Sequence, residues 1–251
     1  MTNQDVNDMK LYDRVGRLNG WDFSRVRCLT EGARPDLYAE ASCWMRPESL
    51  MLDIGTGGGE GALQAADRVR LLVGIDRSAG MIDSAKAHLA RAPRPGVRFL
   101  QMAAEELVFP EAFFDLITCR HAPFSAEEAY RVLVPGGVFL TQQVGEGDKL
   151  GLKAFFGRGQ SAGIEPGTLL RRYERELSAA GFRENEWEEW DAAEYYERYE
   201  DLLFLLLHTP IIPDFGKQDG DEERLRQYVE RYGTARGIRT NASRFRMKAV
   251  K

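Results

Sequence analysis

Cysteine and histidine are scarce in this chain, with three of each among 251 residues. Cys28, Cys43 and Cys119 are far apart and none has the close spacing of a zinc or redox motif, which sets aside a disulfide scaffold, a metal module and thiol redox chemistry. A long apolar run is missing too. The most apolar stretch, residues 202–207, falls well short of the roughly 20 residues needed to span a bilayer. The first ten residues, MTNQDVNDMK, are polar and lack the apolar centre of a signal peptide. A soluble, cytoplasmic protein with no membrane partner is therefore expected. Positive charge is not in surplus either. There are 34 Lys and Arg against 39 Asp and Glu, a net charge of −5, which argues against a surface given over to phosphate binding. A local basic groove is still allowed. Internal repeats and low-complexity tracts are absent.

What is present is a glycine loop between a strand and a helix. Residues 49–62 read SLMLDIGTGGGEGA. The short, continuous apolar run at 50–54 is that of a buried strand, and Asp53 lies near its end. Gly55, Gly57, Gly58 and Gly59 follow, and then a plausible helix. Glycine is required where the backbone turns sharply or where a ligand lies against the main chain. Strand, glycine loop and helix start form a nucleotide-binding arrangement. Two registers overlap here. Gly57-x-Gly59-x-x-Ala62 fits a dinucleotide fingerprint, and Asp53-x-Gly55-x-Gly57-x-Gly59 fits a pattern with an acid two residues before the first glycine.

The following segments arbitrate. Residues 70–75, RLLVGI, form a second apolar run that ends at Asp76, about where nucleotide folds place a ribose-binding acid. A carboxylate is an acceptor that can serve both ribose hydroxyls, and Ser78 is free to cap the helix expected over 78–91. Further strands are expected over 97–102, 113–119 and 138–144. A helix is expected over 126–133 and a tight turn at Val134-Pro135-Gly136-Gly137. His88 reads as a solvated helix residue. The alternation implies a parallel sheet with helices on both faces.

In order, DIGTGGGEGA, GIDRSAGMIDSAK, AAEELVFPEAFFDLITC and RVLVPGGVFL resemble the four successive motifs of the class I S-adenosylmethionine-dependent methyltransferases. A nicotinamide enzyme is not expected to carry LVPGG into its fifth strand. The resemblance implies a doubly wound, Rossmann-like α/β fold: a mostly parallel seven-stranded sheet with the last strand antiparallel, N-terminal helices and a late helical insertion. It implies one domain over 1–251, with an N-terminal arm at 1–48, a cofactor-binding half at 49–144 and a substrate-side half at 145–251. S-adenosyl-L-methionine is the implied cofactor. The loop of Asp53, Gly55, Thr56, Gly57 and Gly59 would hold its methionine part, and Asp76, with Arg77 beside it, its ribose. Met81, Ala104 and Glu105 match adenine positions, although Ala103 stands where the family often has an acid. Arg120 and His121 would lie beside the methyl group. His121 is the candidate catalytic residue, as a proton acceptor, an orienting group or a neutral residue bonded to backbone. The segment HAPF, residues 121–124, is half of a four-residue motif of nucleic-acid base N-methyltransferases.

The remaining sequence places an aromatic pair, Trp21 and Phe23, ahead of the first strand, either as a lid on the cofactor or as an anchor of the N-terminal arm; the anchor is preferred. A helix is expected over 35–45. A long glycine-rich connection is expected over 145–167, with helices over 168–180 and 221–232. Strands are expected at 182–190 and 243–250. The apolar run within 200–215 is expected to cover the carboxyl edge of the sheet. His208, Tyr195 and Tyr196 either line an acceptor pocket or belong to the core. The acidic balance favours a small-molecule acceptor. The alternatives are N-methylation of an rRNA or tRNA base and a cofactor-binding module without transfer activity.

Overall fold

The computed structural model describes residues 3–34 and 36–251. Five parallel strands form its centre: β2 (Leu50–Ile54), β3 (Leu71–Asp76), β4 (Val97–Gln101), β5 (Phe114–Arg120) and β6 (Leu133–Val144). Two 14-residue strands, β7 (Arg183–Tyr196) and β9 (Gly237–Val250), complete a seven-stranded frame, with β9 inserted antiparallel between β6 and β7. Two short strands raise the total to nine among the described residues. β1 (Cys28–Glu31) pairs with β7 and β8 (Gly233–Thr234) pairs with β9, so the order is β1-β7-β9-β6-β5-β2-β3-β4 with β8 at the side. The sheet is doubly wound and Rossmann-like, as expected, with the last strand antiparallel. The extra antiparallel strand β1 was not expected.

The central strands are buried on both faces, which is why they read as unbroken apolar runs. Side chains alternate along β2. Leu52 and Ile54 enter a core shared with α5 (Ala126–Val132) and α7 (Thr168–Ala180), while Met51 enters one shared with α2 (Leu37–Ala41), α3 (Ala62–Ala65) and α4 (Ala79–Arg91). Asp53 shares the Met51 face by the same alternation. Ser78 caps α4, its Oγ accepting from the Met81 amide at 3.1 Å. Asp13, on α1 (Asn3–Asn19), fastens the arm to this corner by accepting from Ser78 Oγ at 2.6 Å and from the Gly80 amide at 3.2 Å.

A third apolar cluster sits beyond the carboxyl ends of β6 and β7. Leu152 and Phe156 of α6 (Leu150–Phe156), Leu202 and Leu206 of α8 (Tyr199–His208), and Leu225 and Tyr228 of α9 (Asp221–Tyr232) pack with Tyr196 and Ile238 of the strands. This cap corrects several expectations. The connection over 145–167 contains α6 rather than a structureless loop. The strands expected at 182–190 and 243–250 continue six residues further at the cap end, because β7 and β9 pair with each other there. The turn at 134–137 is absorbed into β6, with an irregular register against β5. The helix expected over 35–45 is only α2, capped by Asp36; Pro35 lies outside the described residues.

Candidate active site

Four of the parallel strands deliver the site residues to one edge. Asp53 is at the end of β2, Asp76 at the end of β3, Arg120 at the end of β5 and Gln142 near the end of β6. Such carboxyl edges are where open α/β sheets bind ligands.

The loop after β2 is held from two sides. Asp76 Oδ2 accepts from the Gly57 amide at 3.0 Å and Oδ1 from the Ser78 amide at 2.9 Å. One carboxylate therefore joins the glycine loop to the start of α4. Burial raises its pKa, against the pull of these two amides. Gly55 and Gly57 have φ of +70° and +56°, in the left-handed region. A β-carbon on Gly55 would lie 2.2 Å from Ala122 Cβ, and one on Gly57 would lie 3.1 Å from Trp21 Cβ. Thr56 is buried, with its amide bonded to the Ile75 carbonyl at 2.9 Å, and Gly59 closes the turn through its amide to the Thr56 carbonyl at 2.9 Å.

Asp53 lies beneath this loop with no exposed surface. Thr118, opposite it in the β2–β5 register, donates to Oδ1 at 2.6 Å. Tyr38 of α2 donates to the same carboxylate at 3.1 and 3.2 Å. Burial outweighs these bonds and raises the Asp53 pKa to about 6. Asp53 thus supports the loop from below.

The adenine-side candidates divide. Met81 is buried in the first turn of α4, and Ala104 is half-buried against the core. Arg77 and Glu105 pair with each other at 2.5 Å on the surface above them. His88 departs from the solvated position expected for it. Its Nδ1 is 2.8 Å from the Gly58 carbonyl, so it is a prop of the glycine loop.

Of the two residues expected beside the methyl group, Arg120 pairs with Asp36 at 2.9 Å. His121 has a left-handed φ of +54°, and its Nε2 is 3.2 Å from the Gln142 amide nitrogen. Burial, aided by Arg244, Arg120 and Lys149, holds its pKa well below the ordinary histidine value. In the HAPF segment, Phe124 is committed to the core, stacked on Tyr173 at 4.3 Å.

Two features lay beyond sequence reasoning. The first is a set of buried ion pairs at the same edge. Lys149, with φ of +50°, donates to Glu194 at 2.7 Å, and Arg244 to Asp148 at 2.5 Å. Lys149 and Glu194 are separated by 45 residues, and only the cap brings them together. The second is a run of rings. Tyr12, Trp21, Phe23, Phe204 and His208 follow one another with centroid separations of 5.6, 5.1, 5.9 and 3.9 Å. Trp21 lies against Gly57 and its amide donates to Glu60 at 3.0 Å. Trp21 therefore lies against the glycine loop, and its contacts with Tyr12 and Glu60 also fasten the N-terminal arm there.

Residues 52–141 match the methyltransferase domain family. Over these residues the chain carries a methyltransferase domain. It is 37% identical over 102 residues to the uncharacterized methyltransferase YcgJ of Bacillus subtilis, covering 38% of this chain and 40% of that one. It is 32% identical over 146 residues to the demethylmenaquinone methyltransferase of Lactococcus lactis, covering 53% and 57% respectively. The match thus spans about half the length of these relatives, or less. The crystal structure of YcgJ superposes with a TM-score of 0.61 at 22% identity, covering 86% of this chain and 97% of that one. A phosphoethanolamine N-methyltransferase of Haemonchus contortus, solved in complex with S-adenosyl-L-methionine, superposes with a TM-score of 0.53 at 20% identity, over 97% of this chain and 56% of that one. At these identities the structural matches speak for the fold of the methyltransferase domain. Among the described residues no helix is long and apolar enough to cross a membrane.

Proposed function

We propose that this chain binds S-adenosyl-L-methionine and transfers its methyl group to a small-molecule acceptor. The observation that carries this reading is the Gly57–Asp76 junction, which puts a carboxylate and a glycine backbone without β-carbons on one shared surface at the carboxyl edge. The residues fit the cofactor. The glycines leave the loop backbone uncovered by β-carbons, which supports its close approach to a ligand. Asp76 spends one lone pair per oxygen on amides, which leaves acceptor capacity for two ribose hydroxyls. Backbone at 55–59 would hold the methionine part, with Thr56 inside the turn. Met81 and Ala104 would border the adenine, and Arg77 and Glu105 its outer rim. Arg120 would stand at the methyl end.

Bound there, the cofactor supplies an activated methyl group on a sulfonium leaving group. The protein's own task is to align the acceptor and exclude water. His121 serves this as a neutral group: with its proton on Nδ1, Nε2 accepts from Gln142, and the ring positions an acceptor without taking a proton. Helix α8 closes the edge by burying Leu202 and Leu206 in the cap. The demethylmenaquinone methyltransferase relative supports a small-molecule acceptor. So does the burial of Phe124, which leaves the HAPF segment without an exposed aromatic.

A turnover assay that follows methyl transfer to a panel of small acceptors tests the proposal. Cofactor binding without transfer to any of them would leave a binding module. Tight RNA binding that weakens steeply with salt would move the assignment to a nucleic-acid substrate.

A further inference from the structure

Strands β5 and β6 stay in register up to Arg120 and Gln142, and beyond that pair the chain turns away at His121. The His121 amide donates to the Gln142 carbonyl at 2.8 Å. Its φ of +54° is one that a residue with a β-carbon keeps only where its neighbours hold the turn. The next carbonyl, that of Ala122, accepts from no backbone amide among the described residues. Two side chains satisfy it instead. Gln143 Nε2 donates to it at 2.8 Å, and the Cys119 thiol at 3.2 Å. Both side chains are buried. Burial pushes the thiol up to about 12, so it keeps the proton it donates. Gln143 also donates to Thr141 Oγ1 at 2.8 Å, and the Thr141 hydroxyl donates to the Cys119 carbonyl at 2.9 Å.

This turn is seated on the glycine loop. A β-carbon on Gly55 would lie 2.2 Å from Ala122 Cβ, and beyond its chain neighbours no other described residue comes within 4 Å of that point. Gly55 thus packs on Ala122. Strand alternation sends Gln142 and Gln143 to opposite faces of β6. One side-chain amide meets the His121 ring at 3.2 Å, and the other meets the Ala122 carbonyl. Methionine would fill the place of Gln143 without a polar group to desolvate, so packing alone does not account for the amide.

We propose that Gln143 is a positioning residue of the transfer site: by holding the Ala122 carbonyl it fixes the turn at 121–123 against Gly55, and so sets the loop that takes the methionine part of S-adenosyl-L-methionine. This rests on the cofactor reading above. Gln143 acts through Ala122. Without its donor, the Ala122 carbonyl keeps only the weak thiol bond, and the turn must shift for that oxygen to find another partner. Gly55 then loses the surface it packs on.

The test is calorimetric titration of the full chain with S-adenosylhomocysteine. Gln143→Met keeps the length of the side chain and removes the donor, and it should weaken binding about tenfold. Gln143→Glu provides the rescue, because a neutral carboxyl can donate to the Ala122 carbonyl and a carboxylate cannot. Measured against the parent chain at the same pH, the glutamate variant should bind within about threefold at about pH 5 and about tenfold more weakly at about pH 8, while the deficit of the methionine variant stays constant. Ala122→Val should also weaken binding about tenfold, because its added methyl groups meet Gly55. Parental affinity in folded Gln143→Met or Ala122→Val overturns the proposal. So does a glutamate variant whose affinity relative to the parent is the same at both pH values, and this arm decides the matter where the methionine variant does not fold. A parent chain that fails to bind S-adenosylhomocysteine overturns the cofactor reading itself, and the role of Gln143 with it.

Discussion

Replacing Asp53 by asparagine removes a buried charge while nearly preserving shape. The carboxylate has no exposed surface, and its oxygens meet the hydroxyls of Thr118 and Tyr38. Those bonds do not repay its desolvation, and its pKa rises from 3.8 to about 6. A carboxyl with a raised folded pKa holds its proton more tightly in the folded chain. Stability is therefore greatest below the unfolded value and falls as pH rises from about 3.8 to about 6. Complete ionisation costs roughly 3 kcal/mol, of which about 1.4 kcal/mol is lost between about pH 5 and about pH 8. Asparagine has no such titration, and it can still accept from Thr118 and donate an amide proton to the Tyr38 oxygen. Asp53→Asn should thus gain on the parent chain by about 1.4 kcal/mol as pH is raised across that interval. Urea unfolding of both proteins at several pH values measures the difference, and the common background from Asp76 and Glu60 cancels. A gap that is constant with pH, or that narrows as pH rises, would show that Asp53 does not carry the strained charge assigned to it.

Three further outcomes follow from the same geometry. Asp76→Ala should weaken S-adenosylhomocysteine binding ten- to a hundredfold, roughly 1.5–3 kcal/mol, because both the ribose acceptor and the tie to Gly57 are lost; unchanged affinity in a folded variant would remove Asp76 from the site. Gly57→Val should abolish detectable binding, since a β-branched residue resists a φ of +56° and its β-carbon meets Trp21 at 3.1 Å. Normal binding by that variant would mean that the loop does not approach the ligand. The ring nitrogens of His121 should show no titration by NMR from about pH 6 upward, because its pKa is held well below the ordinary value; a midpoint near about 6.5 would restore it as a candidate proton acceptor.

The parts of this molecule legible in the sequence are those fixed by local chemistry. The glycine loop, Asp76, the Ser78 cap and the five central strands each announce themselves by residue type over a few positions. Helix α7 has the bounds expected of it because Gly167 and Gly181 flank it in left-handed conformations. What escaped depends on distant partners. Strand β1 is an exposed edge segment that forms only because β7 runs on to Tyr196, and it carries little apolar pattern. Helix α6 hides in a glycine-rich segment, and its neighbour Lys149 is held by Glu194 and Asn241 from two other strands. His88 sits on the solvent side of a well-read helix, yet the loop folds back to meet it. The run of rings joins residues 21 and 204, a separation that no local pattern reports.

Calorimetric titration of the full chain with S-adenosylmethionine, S-adenosylhomocysteine and NAD tests the central claim most directly. The Gly57–Asp76 junction predicts saturable heat with both sulfur compounds, none with NAD, and a ten- to hundredfold loss in Asp76→Ala. Heat with NAD alone, and silence with both sulfur compounds, would contradict it.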